Sequence, residues 1–144
     1  MSFQYTKETV WSVELDDQPG AAAEKLSALA EAGADLQFVT ARRLPEKPGK
    51  GILIVSPLRG KQQVDAASRA GFSIASDLVG IKLEGLNKPG LGSRIAEAIS
   101  EAGVNLQGIT AVVAGKKFTS FIAFDNPPEA ELGIRVLKNL KRAL

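Results

Sequence analysis

Two stretches of this 144-residue chain carry the same polar signals at the same spacing. Asp17-Gln18-Pro19-Gly20 and Asn87-Lys88-Pro89-Gly90 each read as a turn that opens a helix, and Gly33-Ala34-Asp35-Leu36 and Gly103-Val104-Asn105-Leu106 follow them at matching distances. The chemistry this offers is capture of a small charged molecule. A first helical turn leaves backbone N–H groups unpaired and carries positive partial charge, so a carboxylate fits there. Gly20 and Gly90 have no side chain to keep a ligand off the backbone. Asp35 and Asn105 supply oxygens that accept hydrogen bonds from an ammonium group. The same residues also have a purely structural use. Asn or Asp is a good N-cap, Pro suits the first helical turn, and Gly makes a left-handed helix stop. Local sequence leaves both uses open.

Catalysis has little to work with. The chain has no Cys and no His, which removes the thiolate nucleophile, the commonest general base and the commonest transition-metal ligand. Gly49-Lys50-Gly51 and Arg59-Gly60-Lys61 lack phosphate-loop spacing, and the adjacent Asp16 and Asp17 read as solvated turn residues. No catalytic residue, metal or cofactor is expected. Eighteen basic residues against sixteen acidic ones give a formal charge of +2, too weak to argue for a polyanion. No apolar run approaches the roughly 20 residues that span a bilayer, and Met1 to Trp11 has no signal-peptide core, so a cytoplasmic protein without a membrane partner is expected.

The elements that must position these residues come from an internal repeat. Residues 17–41 and 87–111 align without a gap at an offset of 70, with 10 of 25 positions identical, a sign of a duplicated structural unit. In the second copy, Val79 to Glu84 alternates as a half-buried strand. A helix follows with Leu91, Ile95 and Ile99 on one face, then a strand over 104–113, a hairpin turn at Ala114-Gly115-Lys116-Lys117, and a return strand over 118–124. Asn126-Pro127-Pro128 stops it, and 129–144 has a helical pattern. In the first copy, strands are expected over 9–15, 35–43, 51–56 and 72–78, with helices ending at Ala32 and spanning 61–70. The order is βαββαβ, an α+β class with two ferredoxin-like modules, antiparallel sheets and helices on one face. The expected division is 1–78 and 79–144. The second copy lacks a fourth strand, and Met1 to Tyr5 could fill that edge from the same chain or a partner. The thin core of each half suggests that both join in one continuous sheet.

These residues resemble the ACT domains, whose pattern is a strand, Asn/Asp-x-Pro-Gly, a helix with spaced aliphatics, then Gly-x-Asn/Asp-Ile/Leu. The second copy follows it through Asn87 to Leu91, Ile95, Ile99 and Gly103 to Leu106; the first departs at Ala21, where a large aliphatic is usual. The resemblance covers nearly the whole chain. It implies a regulatory tandem-repeat protein that binds a free amino acid between paired modules and acts on a regulated enzyme, and the unfilled edge of the second copy, with the apolar Phe3, Tyr5, Val10 and Trp11, adds the expectation of a homodimer. It also implies that Asp17 and Asn87 face the ligand. The candidate ligand-binding residues are therefore Asp17, Gly20, Ala21, Asp35, Leu36, Asn87, Gly90, Leu91, Asn105 and Leu106. The carboxylate is expected on the backbone at Gly90 and Leu91, with the ammonium near Asn105.

Two alternatives stand beside this. One is a structural or oligomerisation module. The other is an RNA-binding module of RRM-like topology, since Lys117 to Phe124 partly matches the strand that stacks bases. Thr119 stands where an aromatic belongs and Lys82 where a second is needed, so a nucleic-acid partner is not expected.

Overall fold

The computed structural model describes residues 3–75 and 79–143. In chain order its elements are β1 Phe3–Glu8, β2 Trp11–Asp16, α1 Ala21–Glu31, β3 Phe38–Arg43, β4 Lys50–Ser56, α2 Gly60–Arg69, β5 Ser73–Ile74, β6 Val79–Leu86, α3 Leu91–Glu101, β7 Leu106–Ala114, β8 Lys117–Phe124 and α4 Pro127–Ala143. The chain divides into two units. One is Thr9–Ala75; the other joins Met1–Glu8 to Ser76–Leu144.

The Thr9–Ala75 unit holds an antiparallel sheet in the order β3-β4-β2-β5. Its alternation is read directly from sequence: Trp11, Val13 and Leu15 are buried, while Glu14 and Asp16 point out. With Leu29, Leu53, Val55, Ala67 and Phe72 they make one core. Trp11 is thus a core residue on a central strand. The expected strand 72–78 shrinks to Ser73–Ile74, and residues 76–78 lie outside the described residues.

The second unit holds a sheet in the order β1-β6-β8-β7, also antiparallel. Here β1 pairs with β6 from Phe3↔Gly85 to Glu8↔Gly80 and takes the place that β5 takes on β2. The missing fourth strand is therefore supplied by the start of the same chain. The opening residues, read from sequence with the 1–78 module, pair with the second repeat. Leu91, Ile95 and Ile99, at spacing four, close the core over Ile81, Leu83, Phe118, Ile122, Phe124 and Leu137. Among the described residues the hydrogen-bonded ladders form two four-stranded sheets, not the single continuous one expected. Each ladder ends in its own edge strands.

The helix ends sharpen the sequence reading. Gly20 and Gly90 are the N-caps, in the left-handed region at φ 87° and 82°, with no side-chain cap bond. Asp17 and Asn87 are therefore not caps, and Pro19 and Pro89 sit in the turn ahead of the helix. The stops are as read. Gly33 and Gly103 have φ 85° and 77°, and Ala34 N–H donates to Leu29 O as Val104 N–H does to Ile99 O, the six-to-one bond of a Schellman stop. Helix α4 begins at Pro127, two residues before the expected start, because Asn126 Oδ1 accepts the Glu129 N–H at 2.9 Å and Pro fits just inside a cap.

Candidate functional site

The helix-start turns lie where β2 and β6 run out and α1 and α3 begin. In the first repeat this turn is flanked by two clefts. The larger, of about 620 Å³, is lined by Glu14, Leu15, Asp16, Gln18, Pro19, Gly20, Ala21, Glu24, Lys25 and Lys50. The smaller, of about 310 Å³, lies on the β3 side and includes Asp17, Ala21, Ala22, Ala41 and Arg43. Ala21 borders both. Its counterpart Leu91 is 3% exposed and fills the second core. The space beside the first turn thus goes with two positions of α1, Ala21 and Lys25, where the second repeat has the buried aliphatics Leu91 and Ile95.

Charge is organised around that turn. Asp17 Oδ2 accepts a hydrogen bond from Arg43 Nε at 2.8 Å, Glu14 pairs with Lys47 at 3.2 Å, and Asp16 with Lys50. The Lys50 ammonium, by hydrogen bond and by charge, holds the Asp16 carboxyl below its ordinary range, and Asp16 raises Lys50 in return. These pairs fix the Leu44–Lys50 loop to the end of β2. At position 113, the counterpart of Arg43, the second repeat has Val, and Asn87 replaces Asp17. The first turn therefore carries a paired carboxylate and guanidinium, while the second has no acidic residue and gains Lys88 in place of Gln18.

The backbone donors differ from those expected. Leu91 N–H already donates to Lys88 O at 3.1 Å, and Ala21 N–H to Gln18 O at 3.3 Å. Among the described residues, the groups left without a backbone partner are the next ones in, on Ala22 and Ala23, and on Gly92 and Ser93. Sequence reasoning missed them because it placed the cap on Asp17 and Asn87. Counting inward from a glycine cap would have found them.

The candidate residues separate into two groups. Asp17, Gly20 and Ala21 lie together, as do Asn87, Gly90 and Leu91. Asp35 and Leu36 follow the far end of α1, and Asn105 and Leu106 the far end of α3. Each helix has 11 residues, about 16 Å at 1.5 Å per residue, so no α-amino acid spans from one group to the other within a unit. Asp35 and Leu36 line neither cleft. On β8, Phe118 and Phe124 are buried in the core, so two of the three aromatics of the RNA-like stretch cannot stack bases. Among the described residues no helix is long and apolar enough to cross a membrane.

No family model and no curated protein matches the chain. Solved structures do. Protein BT0572 from Bacteroides thetaiotaomicron superposes with a TM-score of 0.78 at 18% identity, over 95% of this chain and 90% of that one. The ligand-free regulatory subunit of aspartate kinase from Thermus thermophilus gives 0.66 at 15% identity, over 96% of each. The corresponding subunit from Thermus flavus gives 0.61 at 17%, again over 96% of each. Sheet order, the two helix-start turns and these superpositions agree: the chain has the tandem ACT-domain fold.

Proposed function

We propose that this is a regulatory protein without catalytic activity that binds a free α-amino acid at the helix-start turns and modulates a partner enzyme. The observation that carries this is the smaller cleft of the first repeat. Its 310 Å³ suits a small ligand, and its walls set a carboxylate, Asp17, and a guanidinium, Arg43, beside a helix start with free N–H groups. An α-amino acid carries the matching pair of charges. Its ammonium would meet Asp17, and its carboxylate Arg43 and the Ala22 N–H. Two of the named superposed structures are regulatory subunits of aspartate kinase, which supports a regulatory role over an enzymatic one.

In the second repeat a site that uses both Gly90 and Asn105 needs two copies of the chain. Strand β7 is an open edge of nine residues without charge, and Ile109, Val112 and Val113 on it are 43%, 61% and 47% exposed. Antiparallel pairing of β7 with its counterpart about a two-fold axis would bring the partner's start of β7, preceded by its Asn105, to this copy's Ala114 end. That end lies beside Asn87, whose N–H donates to Lys116 O at 2.7 Å. The proposed assembly is therefore a homodimer through β7.

A thermal-shift screen against the standard amino acids, followed by calorimetry, tests this, because a ligand specific for the native state raises stability by mass action. Binding is expected to weaken about tenfold in Asp17→Asn at the first site and in Asn105→Ala at the second, each charge-assisted bond being worth roughly 1.5–3 kcal/mol. If no amino acid gives heat or a melting shift at millimolar concentration, the ligand reading fails and a structural module takes its place.

A further inference from the structure

The two repeats differ at one sheet edge, independently of any amino-acid site. Strand β1 covers six residues of β6, from Gly80 to Gly85. Among the described residues, strand β5 covers only Trp11 and Ser12 of β2. By the 70-residue offset, Val13, Glu14 and Leu15 correspond to Leu83, Glu84 and Gly85, which β1 covers. The register that pairs Ser12 with Ser73 would oppose Glu14 to Gly71, but there the chain is still leaving α2, and the Gly71 N–H donates to Ser68 O.

The open edge has hydrogen-bonding capacity. Asp17 N–H bonds Gly49 O and Ala75 N–H bonds Val10 O. In an antiparallel ladder these bonds alternate along a strand, so odd residues of β2 point to β4 and even ones to the β5 side. The Glu14 N–H and C=O and the Asp16 N–H therefore face outward where β5 has ended. They open on the larger cleft, which Glu14, Leu15, Asp16, Gly20 and Glu24 line.

We propose that this edge takes an extended segment of a partner protein as an added strand, antiparallel to β2, with a basic side chain in the cleft. Within the same molecule the equivalent edge is already covered in this way, by a strand arriving from a distant part of the sequence. Charge selects the occupant. Of the three carboxylates that line the cleft, Asp16 is paired with Lys50 and Glu14 with Lys47, which leaves Glu24, and the other lining ammonium group, Lys25, is held on Ala70 O at 2.6 Å. Glu24 has no ion pair among the described residues. A lysine or arginine on the incoming strand supplies one.

The probe is a blocked hexapeptide of alternating valine and lysine, titrated into the full chain by calorimetry with amide hydrogen exchange as a second readout. Saturable binding is expected, with slowed exchange at the Glu14 and Asp16 amides. A glutamate-for-lysine peptide and a backbone N-methylated peptide are each expected to bind about tenfold more weakly, the first by loss of charge-assisted contacts and the second by loss of ladder bonds. Glu24→Lys, on an exposed helix position, should weaken the lysine peptide while the fold stays intact. Absence of saturable binding at millimolar peptide overturns the proposal. So does equal binding of the N-methylated peptide, or protection on β7 in place of β2.

Discussion

Gly133 shows how tightly one residue can be specified. A Cβ built there would lie 2.4 Å from Cζ of Phe124, whose ring is fully buried. Glycine to alanine in a helix ordinarily gains up to about 1 kcal/mol, but here overpacking should reverse the sign, and Gly133→Ala is expected to cost about 1–3 kcal/mol in chemical denaturation. Ala21 is the opposite case, a small residue that leaves space. Ala21→Leu restores the side chain that Leu91 buries in the other repeat, so stability should hold while amino-acid binding at the first turn falls about tenfold in calorimetry, roughly 1.4 kcal/mol. At this scale much was legible. The alanine stood out in the sequence because its repeat partner is leucine, and Gly33 and Gly103 announced the helix stops. The cap was misplaced because Asp17 and Asn87 are good capping residues by type. Only the left-handed φ of Gly20 and Gly90 shows that the turn gives the cap to glycine and leaves the polar side chains for other partners. Nor did sequence offer the Arg43–Asp17 pair, which depends on how β3 returns past the turn.

Among the strands, β6 and β8 share a charged cluster on the face away from the helices. Glu84 accepts from Lys117 and lies 3.0 Å from Lys82, and these contacts, Lys117 first, hold its carboxyl below the ordinary value of 4.5. A carboxyl lowered on folding adds stability above its unfolded pKa, and that stability is lost as pH falls through the folded value. Unfolding midpoints of the wild type should therefore drop on acidification below about pH 4.5, and the drop should be smaller in Glu84→Gln. Strand β7 makes a different forecast. Its exposed Val112 lies on the same face as Glu84, in an edge that carries no charge, whereas the edge strand β3 ends in Arg42 and Arg43. Val112→Lys should leave the monomer folded and abolish the β7-paired dimer proposed above, read as a monomer mass in light scattering, since a charge on an edge opposes strand pairing. Alternation and turn residues were enough to read these strands from sequence. Their neighbours were not readable, because the pairing of β1 with β6 joins segments that no local pattern connects.

For the molecule as a whole, the chain's first strand completes a unit built mainly from its second half. Tyr5 packs against that unit's core, and β1 makes six residue pairs with β6. Deleting residues 1–8 should lower the stability of the second repeat by several kcal/mol, as expected when an edge strand and its apolar side chain are lost together, and a synthetic peptide of residues 1–8 added in trans should restore part of it. The same pairing sets an order in time. Phe3 leaves the ribosome 82 residues ahead of Gly85, its partner in the ladder, a delay of about 4–16 s at common elongation rates. Residues 9–75 can close their own sheet in that interval, while β1 waits without a template. Strand β1 is thus made well before its partner β6 and can be placed only once β6 exists, a long-range pairing of the kind that slows folding.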